Sequence, residues 1–205
     1  MAESSILFEE RHKIVAFPVV VSGPSGAGKT SLCYRVVADC PDVVYSVSAT
    51  TRPRREEETD GKDYHFVAPD KFLEMAKAGD LLECAEVHDC RYGTPKSSVL
   101  PFLDKGKIVI MDIDVQGGLS MRKAFPCGVF VFVVPPSFEV LERRLRARRT
   151  DSADALETRL RNAREEMKYR AHYDYLVVND DFDTTLARLK SIISAEKCRM
   201  LRLFD

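Results

Sequence analysis

One stretch limits the folds open to this 205-residue chain: Val19-Val20-Val21-Ser22-Gly23-Pro24-Ser25-Gly26-Ala27-Gly28-Lys29-Thr30. A β-branched strand runs into a turn of small residues and out into a helix. Gly23 and Gly28 bracket four residues, and Lys29 and Thr30 follow at once. That is the spacing of a phosphate loop, in the strand-before, helix-after setting it requires. Glycine admits turns that a Cβ forbids, so successive N–H groups point into one concavity facing anionic oxygens, and the helix adds its positive end. Lys29 is placed to neutralise the β- and γ-phosphates of a nucleotide, and the Thr30 hydroxyl to hold Mg²⁺.

Around that loop strands alternate with helices. Lys29 to Ala38 reads as a helix stopped before Pro41, and Val43 to Val47 as a strand. From Ser48 to Gly61 the residues are polar and charged without period, so a loop is expected; strand character returns at Tyr64 to Val67. Pro69 to Ala78 is a helix stopped by Gly79, Leu81 to Val87 alternates as a strand with Glu83 among apolar neighbours, and Arg91 to Pro95 reads as a turn. These pieces make a small inserted subdomain. Continuous apolar runs at Lys107 to Asp114 and Val129 to Val134 suit strands covered on both faces. Asp112 and Asp114, two apart at such a strand's end, are expected to leave one face toward the loop, or to cap a helix. Val115 to Lys123 reads as a short helix, and longer ones are expected from near Ser137, over Ala155 to Tyr169, and over Asp183 to Met200 with Leu186, Leu189, Ile193 and Ala195 inward. Tyr175 to Val178 is a last strand. The pattern predicts an α/β fold of three layers around a central parallel sheet, with the loop at the strands' carboxyl edge.

Charge narrows the partners. Lys plus Arg number 31 against 32 Asp plus Glu, so no global basicity points to nucleic acid. Only the arginines between Arg143 and Arg149 raise that reading locally. The six cysteines form no CxxC pair, which predicts buried free thiols in a reducing, cytoplasmic setting. Met1 to Arg11 lacks a targeting pattern, and no run approaches the roughly 18 apolar residues of a membrane span.

Several motifs, in one order, resemble those of the guanylate kinase family over about Val19 to Lys190. They are the glycine loop, Ser46-Val47-Ser48-Ala49-Thr50-Thr51-Arg52, Asp60-Gly61-Lys62-Asp63-Tyr64-His65-Phe66-Val67, Tyr92-Gly93-Thr94, Asp112-Ile113-Asp114-Val115-Gln116-Gly117 and Val178-Asn179-Asp180. The resemblance implies ATP-dependent phosphorylation of GMP to GDP with Mg²⁺. It also implies a core (about 14–47, 97–136 and 171–205), a GMP-binding subdomain (about 48–96) and a helical lid (about 137–170).

Carried over by position, the ATP site is Gly23, Pro24, Ser25, Gly26, Ala27, Gly28, Lys29, Thr30 and Ser31, with Asn179 near the adenine. Thr30 and Asp112 are on the metal side, and Asp114 lies nearer GMP. Arg52, Arg55, Tyr64 and Tyr92 fall at the clamp for the GMP phosphate, where guanidiniums pair with oxygens and phenols donate without adding charge. Glu83, Thr94 and Ser48 fall at the guanine: a carboxylate accepts from N1–H and the exocyclic amine, and a hydroxyl donates to O6. Lys29, Arg52, Arg144, Arg148 and Arg159 are the candidate catalytic residues, the last three closing from the lid; Arg143, Arg146 and Arg149 are expected at the surface. ATP and GMP would be the partners, with no nucleic acid and no membrane, in a monomer or weak dimer.

Two departures stand out. Where the family usually carries Arg-Xaa-Pro-Arg-Xaa-Gly, this chain has Arg52-Pro53-Arg54-Arg55-Glu56-Glu57, which predicts a less preorganised loop. Arg149 stands where a glycine is common. A peptide-binding scaffold module and a kinase for another nucleoside monophosphate are the alternatives; the intact Gly28-Lys29-Thr30 argues against the first, and Glu83 with Thr94 against the second.

Overall fold

Alternation within the apolar strands sets the layers. In β1 (Pro18–Ser22), Val19 and Val21 face one side of the sheet and Val20 the other, and all three are inaccessible to solvent. In this computed structural model, which describes residues 15–87, 90–147 and 153–202, β1 is the middle of a five-stranded parallel sheet ordered β2-β7-β1-β8-β9. The partners are β2 (Val43–Tyr45), β7 (Ile108–Asp112), β8 (Val129–Val134) and β9 (Tyr175–Val178). On one face Val19, Val21, Ile110, Val131 and Val133 meet α1 (Lys29–Asp39), through Leu32, Cys33 and Val36, and α7 (Phe182–Lys197), through Leu186, Leu189 and Ile193. On the other, Val20, Val109, Met111 and Phe130 pack with Met121 of α4 (Val115–Ala124) and with α3 (Leu100–Asp104). This is the expected three-layer α/β fold.

A second sheet, ordered β4-β3-β6-β5, is built from β3 (Ala49–Thr50), β4 (His65–Phe66), β5 (Leu81–Val87) and β6 (Cys90–Pro95), with α2 (Pro69–Ala78) burying Phe72 beside it. Three expectations are corrected by the strands. The stretch from Ser48 is not wholly loop, because Ala49 and Thr50 pair with Gly93 and Tyr92. The turn expected over Arg91 to Pro95 is a strand, in register with β5 so that Thr94 stands opposite Glu83. The first strand after α1 ends at Tyr45, not Val47.

The remaining helices are α5 (Phe138–Arg146) and α6 (Ala153–Glu166), packed together through Leu141, Leu145, Leu156 and Ala163. The single helix expected to Tyr169 tightens into a 3-10 segment at Met167–His172. The last helix ends at Lys197, and Glu196 is buried where Ala195 was expected, since Ala195 falls about 140° off the stripe set by Leu189 and Ile193. Cys33 alone of the six thiols is fully buried; Cys84, Cys127 and Cys198 are exposed.

Glu196 closes the base of the sheet. Its carboxylate accepts from Tyr175 Oη at 2.6 Å and from Arg202 Nη2 at 2.8 Å, and the Arg202 guanidinium lies 3.8 Å from the centre of the Phe17 ring. Both charged residues are buried, so removing one leaves the other's charge without a partner. Glu196→Ala is expected to lower unfolding free energy by about 3 kcal/mol in urea titrations, whereas Arg199→Ala, at an exposed partner of the same carboxylate, should cost under about 1 kcal/mol.

Candidate active site

The phosphate loop leaves β1 at Ser22 and runs against the end of β8. A Cβ on Gly23 (φ +137°) would stand 2.0 Å from the Val133 carbonyl oxygen, so only glycine fits this approach. Gly28 (φ +89°) is as closely held, with Asn179 Nδ2 2.4 Å from the position of a Cβ. That amide donates to the Ala27 carbonyl at 2.7 Å, and the Asn179 carbonyl accepts from Arg144 Nη2 at 2.9 Å. Asn179, expected near an adenine, thus supports the loop from behind and ties Arg144 of α5 to it.

Lys29 donates to the carbonyls of Gly23 at 2.7 Å and Pro24 at 3.0 Å, bridging the two arms of the loop. Burial pulls its pKa down, and the charges of Asp112 and Glu166 partly restore it. Thr30 Oγ1 donates to Asp112 Oδ2 at 2.5 Å, and the Tyr45 hydroxyl donates to Asp112 Oδ1. Burial raises the Asp112 pKa against those two bonds and the Lys29 charge. A desolvated carboxylate beside a hydroxyl is a hard-oxygen pair suited to a small divalent cation. Among the described residues no cluster of three or more His, Cys, Asp or Glu could hold a metal, and Mg²⁺ is commonly held by one or two protein oxygens together with substrate phosphates.

Asp114 takes the second of the two places expected of it, the helix cap, and not the strand face shared with Asp112. The strand ends at Asp112, and Asp114 caps α4, accepting from Gln116 N at 2.7 Å and Gly117 N at 3.1 Å. Its other oxygen faces Gly117: a Cβ there would lie 3.5 Å from Asp114 Oδ2 and 2.7 Å from Glu83 Oε2. The cap therefore brings Asp114 beside Glu83 across a space that a glycine keeps open.

Glu83 is buried, as are Thr94 opposite it in the same sheet and Ser48, just before β3. Thr94 Oγ1 donates to Glu83 Oε1 at 2.7 Å, while Oε2 has no hydrogen-bond partner. Burial pushes the Glu83 pKa up to about 7; the Asp114 charge adds to this and the Thr94 bond opposes it. An orphaned acceptor beside a hydroxyl suits a planar ligand edge carrying adjacent donors.

The charged loop has its own organiser, which sequence reasoning missed. Glu58 Oε1 takes Arg52 Nη2 at 2.6 Å and Oε2 takes the Arg55 N–H at 2.9 Å, while the Glu58 carbonyl accepts from Arg54 Nη1 at 2.6 Å. The loose loop expected from the displaced proline and lost glycine is instead tied at three points. Burial alone would lower the Arg52 pKa, but the bond to Glu58 holds it above its usual value. The guanidinium lies 5.5 Å from the Tyr64 ring centre, and the Tyr64 and Tyr92 rings meet edge-on at 5.9 Å. Arg52, Tyr64 and Tyr92 are brought together; Arg55 is partly exposed, 4.0 Å from Glu58. Arg159 lies half-buried on α6, whereas Arg148 and Arg149 fall outside the described residues. Glu58 carried a signal in its spacing, three residues after Arg55 and six after Arg52; Tyr45 and Glu166 carried none.

Known proteins sharpen these observations. A family model described as guanylate kinase matches residues 16–196. The chain is similar to a guanylate kinase of Syntrophotalea carbinolica, 49% identical over 184 residues covering 90% of this chain and 88% of that protein. It is likewise similar to one of Caldanaerobacter subterraneus subsp. tengcongensis, 44% identical over 187 residues and 91% of each chain. Among solved structures, guanylate kinase from Anaplasma phagocytophilum superposes with a TM-score of 0.77 at 31% identity, over 93% of this chain and 90% of that one.

The environment of Glu83 can be tested without any ligand. Carboxyl-carbon NMR of the free protein should show Glu83 titrating near pH 7, and Thr94→Val, which deletes the opposing hydrogen bond, should move the midpoint upward. A midpoint within the ordinary glutamate range would mean that the side chain is solvated.

Proposed function

The chain belongs to the guanylate kinase family, and we propose a set of roles by which its residues carry out the family's reaction, ATP + GMP = ADP + GDP. The enzyme is a nucleoside monophosphate kinase of purine nucleotide metabolism, and a divalent metal accompanies ATP in this family. No helix among the described residues is long and apolar enough to cross a membrane.

Glu83 is the observation that carries the assignment of roles. A buried carboxylate with one oxygen unpartnered, next to the Thr94 hydroxyl, is complementary to the guanine edge: N1–H and the exocyclic amine donate to the carboxylate. Thr94, with its proton now on Glu83, turns it toward O6, and Ser48 and Asp114 border the base. Adenine would set a lone pair against Glu83, leaving buried acceptors unpaired. Arg52, Arg55, Tyr64 and Tyr92 hold the GMP phosphate.

At the other end the loop from Gly23 to Ser31 cradles the ATP phosphates, with Lys29 moving from its carbonyl partners to β- and γ-oxygens. Mg²⁺, held by Thr30 and Asp112 with the nucleotide, would neutralise phosphate charge. A GMP phosphate oxygen attacks the γ-phosphorus as its bond to the β-bridging oxygen breaks, and ADP leaves; no covalent enzyme intermediate is needed. Arg144, Arg148 and Arg159 stabilise the charge in flight from the lid, and closure excludes water.

Two measurements check these roles. Below a pH of about 7 the Glu83 carboxyl takes up a proton and offers one acceptor fewer, so KM for GMP should climb as pH falls, by up to about tenfold per unit, while KM for ATP stays level. Glu83→Gln should raise KM for GMP and abolish that slope; a slope that survives the substitution places the titrating group elsewhere. Lys29→Ala should reduce kcat by about 10²–10³ with calorimetric GMP affinity retained, and turnover within about tenfold of the parent would contradict its role.

A further inference from the structure

Helix α1 delivers more than Lys29 and Thr30. One turn beyond Thr30, the half-buried Tyr34 directs its hydroxyl to the Lys62 carbonyl at 3.1 Å and to Asp63 Oδ1 at 3.3 Å, one proton shared between two acceptors. Those acceptors sit on a tightly bonded turn. Lys62 N and Asp63 N both donate to the Thr59 carbonyl at 3.2 and 3.0 Å, Gly61 N donates to the Tyr64 carbonyl at 2.8 Å, and Asp63 Oδ2 accepts from Thr59 N at 2.8 Å. A turn closed this way moves as a body, and the next residue along it is Tyr64. Behind Tyr34 lies Tyr45, with ring centres 4.7 Å apart, whose hydroxyl is on Asp112. Two phenols in contact, their rings tilted by 49°, thus span from the Thr30–Asp112 pair to the turn that carries Tyr64.

We propose that Tyr34 is a positioning residue that docks the Thr59–Tyr64 turn onto the helix of the phosphate loop, so that the GMP-phosphate clamp is set at a fixed separation from the ATP phosphates. In-line transfer is sensitive to that separation, since misplacement by about 1 Å can cost on the order of 10²-fold in rate. The inference rests on the reading of Tyr64 as a ligand of the GMP phosphate.

Tyr34→Phe keeps the ring against Tyr45 and deletes only the hydroxyl. With the hydrogen bond gone, amide exchange over residues 60–66 of the ligand-free enzyme should quicken about three- to tenfold, and kcat/KM for GMP should fall by a similar factor. KM for ATP should stay within about twofold, and the melting temperature should hardly move, a split that general loss of structure would not produce. Unchanged exchange at the turn overturns the docking contact. Faster exchange with unchanged kcat/KM for GMP overturns its positioning role. Tyr64→Phe, assayed in parallel, separates the two readings: if it raises KM for GMP while Tyr34→Phe does not, the clamp stands and this inference fails. If Tyr64→Phe is itself silent, the clamp reading falls and the inference with it.

Discussion

The approach of the Gly23 backbone to the Val133 carbonyl is the contact on which the rest of the site depends. Because no side chain intervenes, β1 and β8 carry the loop's first turn between them, and the loop inherits the rigidity of two strands whose residues are wholly buried. Asn179, at the end of β9, fixes the other arm by its bond to Ala27. Lys29 crosses between the arms. Three neighbouring strands therefore hold an anion cradle whose shape is set before any anion arrives, which is the condition for electrostatic stabilisation without reorganisation.

That preformed cradle comes at the cost of uncomfortable charges. Lys29 is depressed, and Asp112, Glu83 and Glu166 are raised, each by burial first. A carboxyl such as Glu83, raised from 4.5 to about 7, favours the folded state at low pH and costs stability as pH climbs through that window, by roughly 3 kcal/mol in all at neutral pH and above. Selection for folding alone would replace such a group with an apolar one. With one of its own oxygens unpartnered and facing a glycine gap, Glu83 is where, on the proposed reading, stability is given up for recognition of a ligand.

What could be read from the sequence was whatever local pattern dictates. Glycine spacing defined the loop, continuous apolar runs defined the buried strands, and the order of motifs defined the family. Most of what could not be read depended on partners distant in sequence. Arg91 to Pro95 carries Gly and Pro and so reads as a turn, yet pairing with β5 and β3 makes it a strand and sets Thr94 opposite Glu83. Asp114 looks like a second strand-end carboxylate, but the strand stops at Asp112 and the N-terminus of α4 takes its side chain. Tyr45 is an ordinary strand tyrosine until the parallel pairing of β2 with β7 brings it to Asp112. Glu196, three residues after Ile193, continues the stripe of Leu189 and Ile193, whereas Ala195 suits it only by its apolar side chain and not by its phase.

The loop from Arg52 to Glu58 shows how a local departure is absorbed. A proline and a glycine at fixed places restrict a loop through backbone torsions; here both are missing from the family's positions, and one carboxylate ties the loop through space. Glu58 is mostly buried, its side chain 13% exposed, and it bonds to the Arg52 guanidinium and the Arg55 N–H at once. A torsional restraint leaves the arginines their full charge, whereas Glu58 already neutralises part of Arg52. On the proposed reading of Arg52 as part of a phosphate clamp, an arriving phosphate would meet an arginine that is positioned but shared. The additional cation of Arg54, tied to the Glu58 carbonyl without being neutralised by it, offsets that loss of charge. Glu58 thus orders the loop at some cost in positive charge at Arg52, while Arg54, bonded to a backbone carbonyl, keeps its own charge for the anion that the proposed reading brings there.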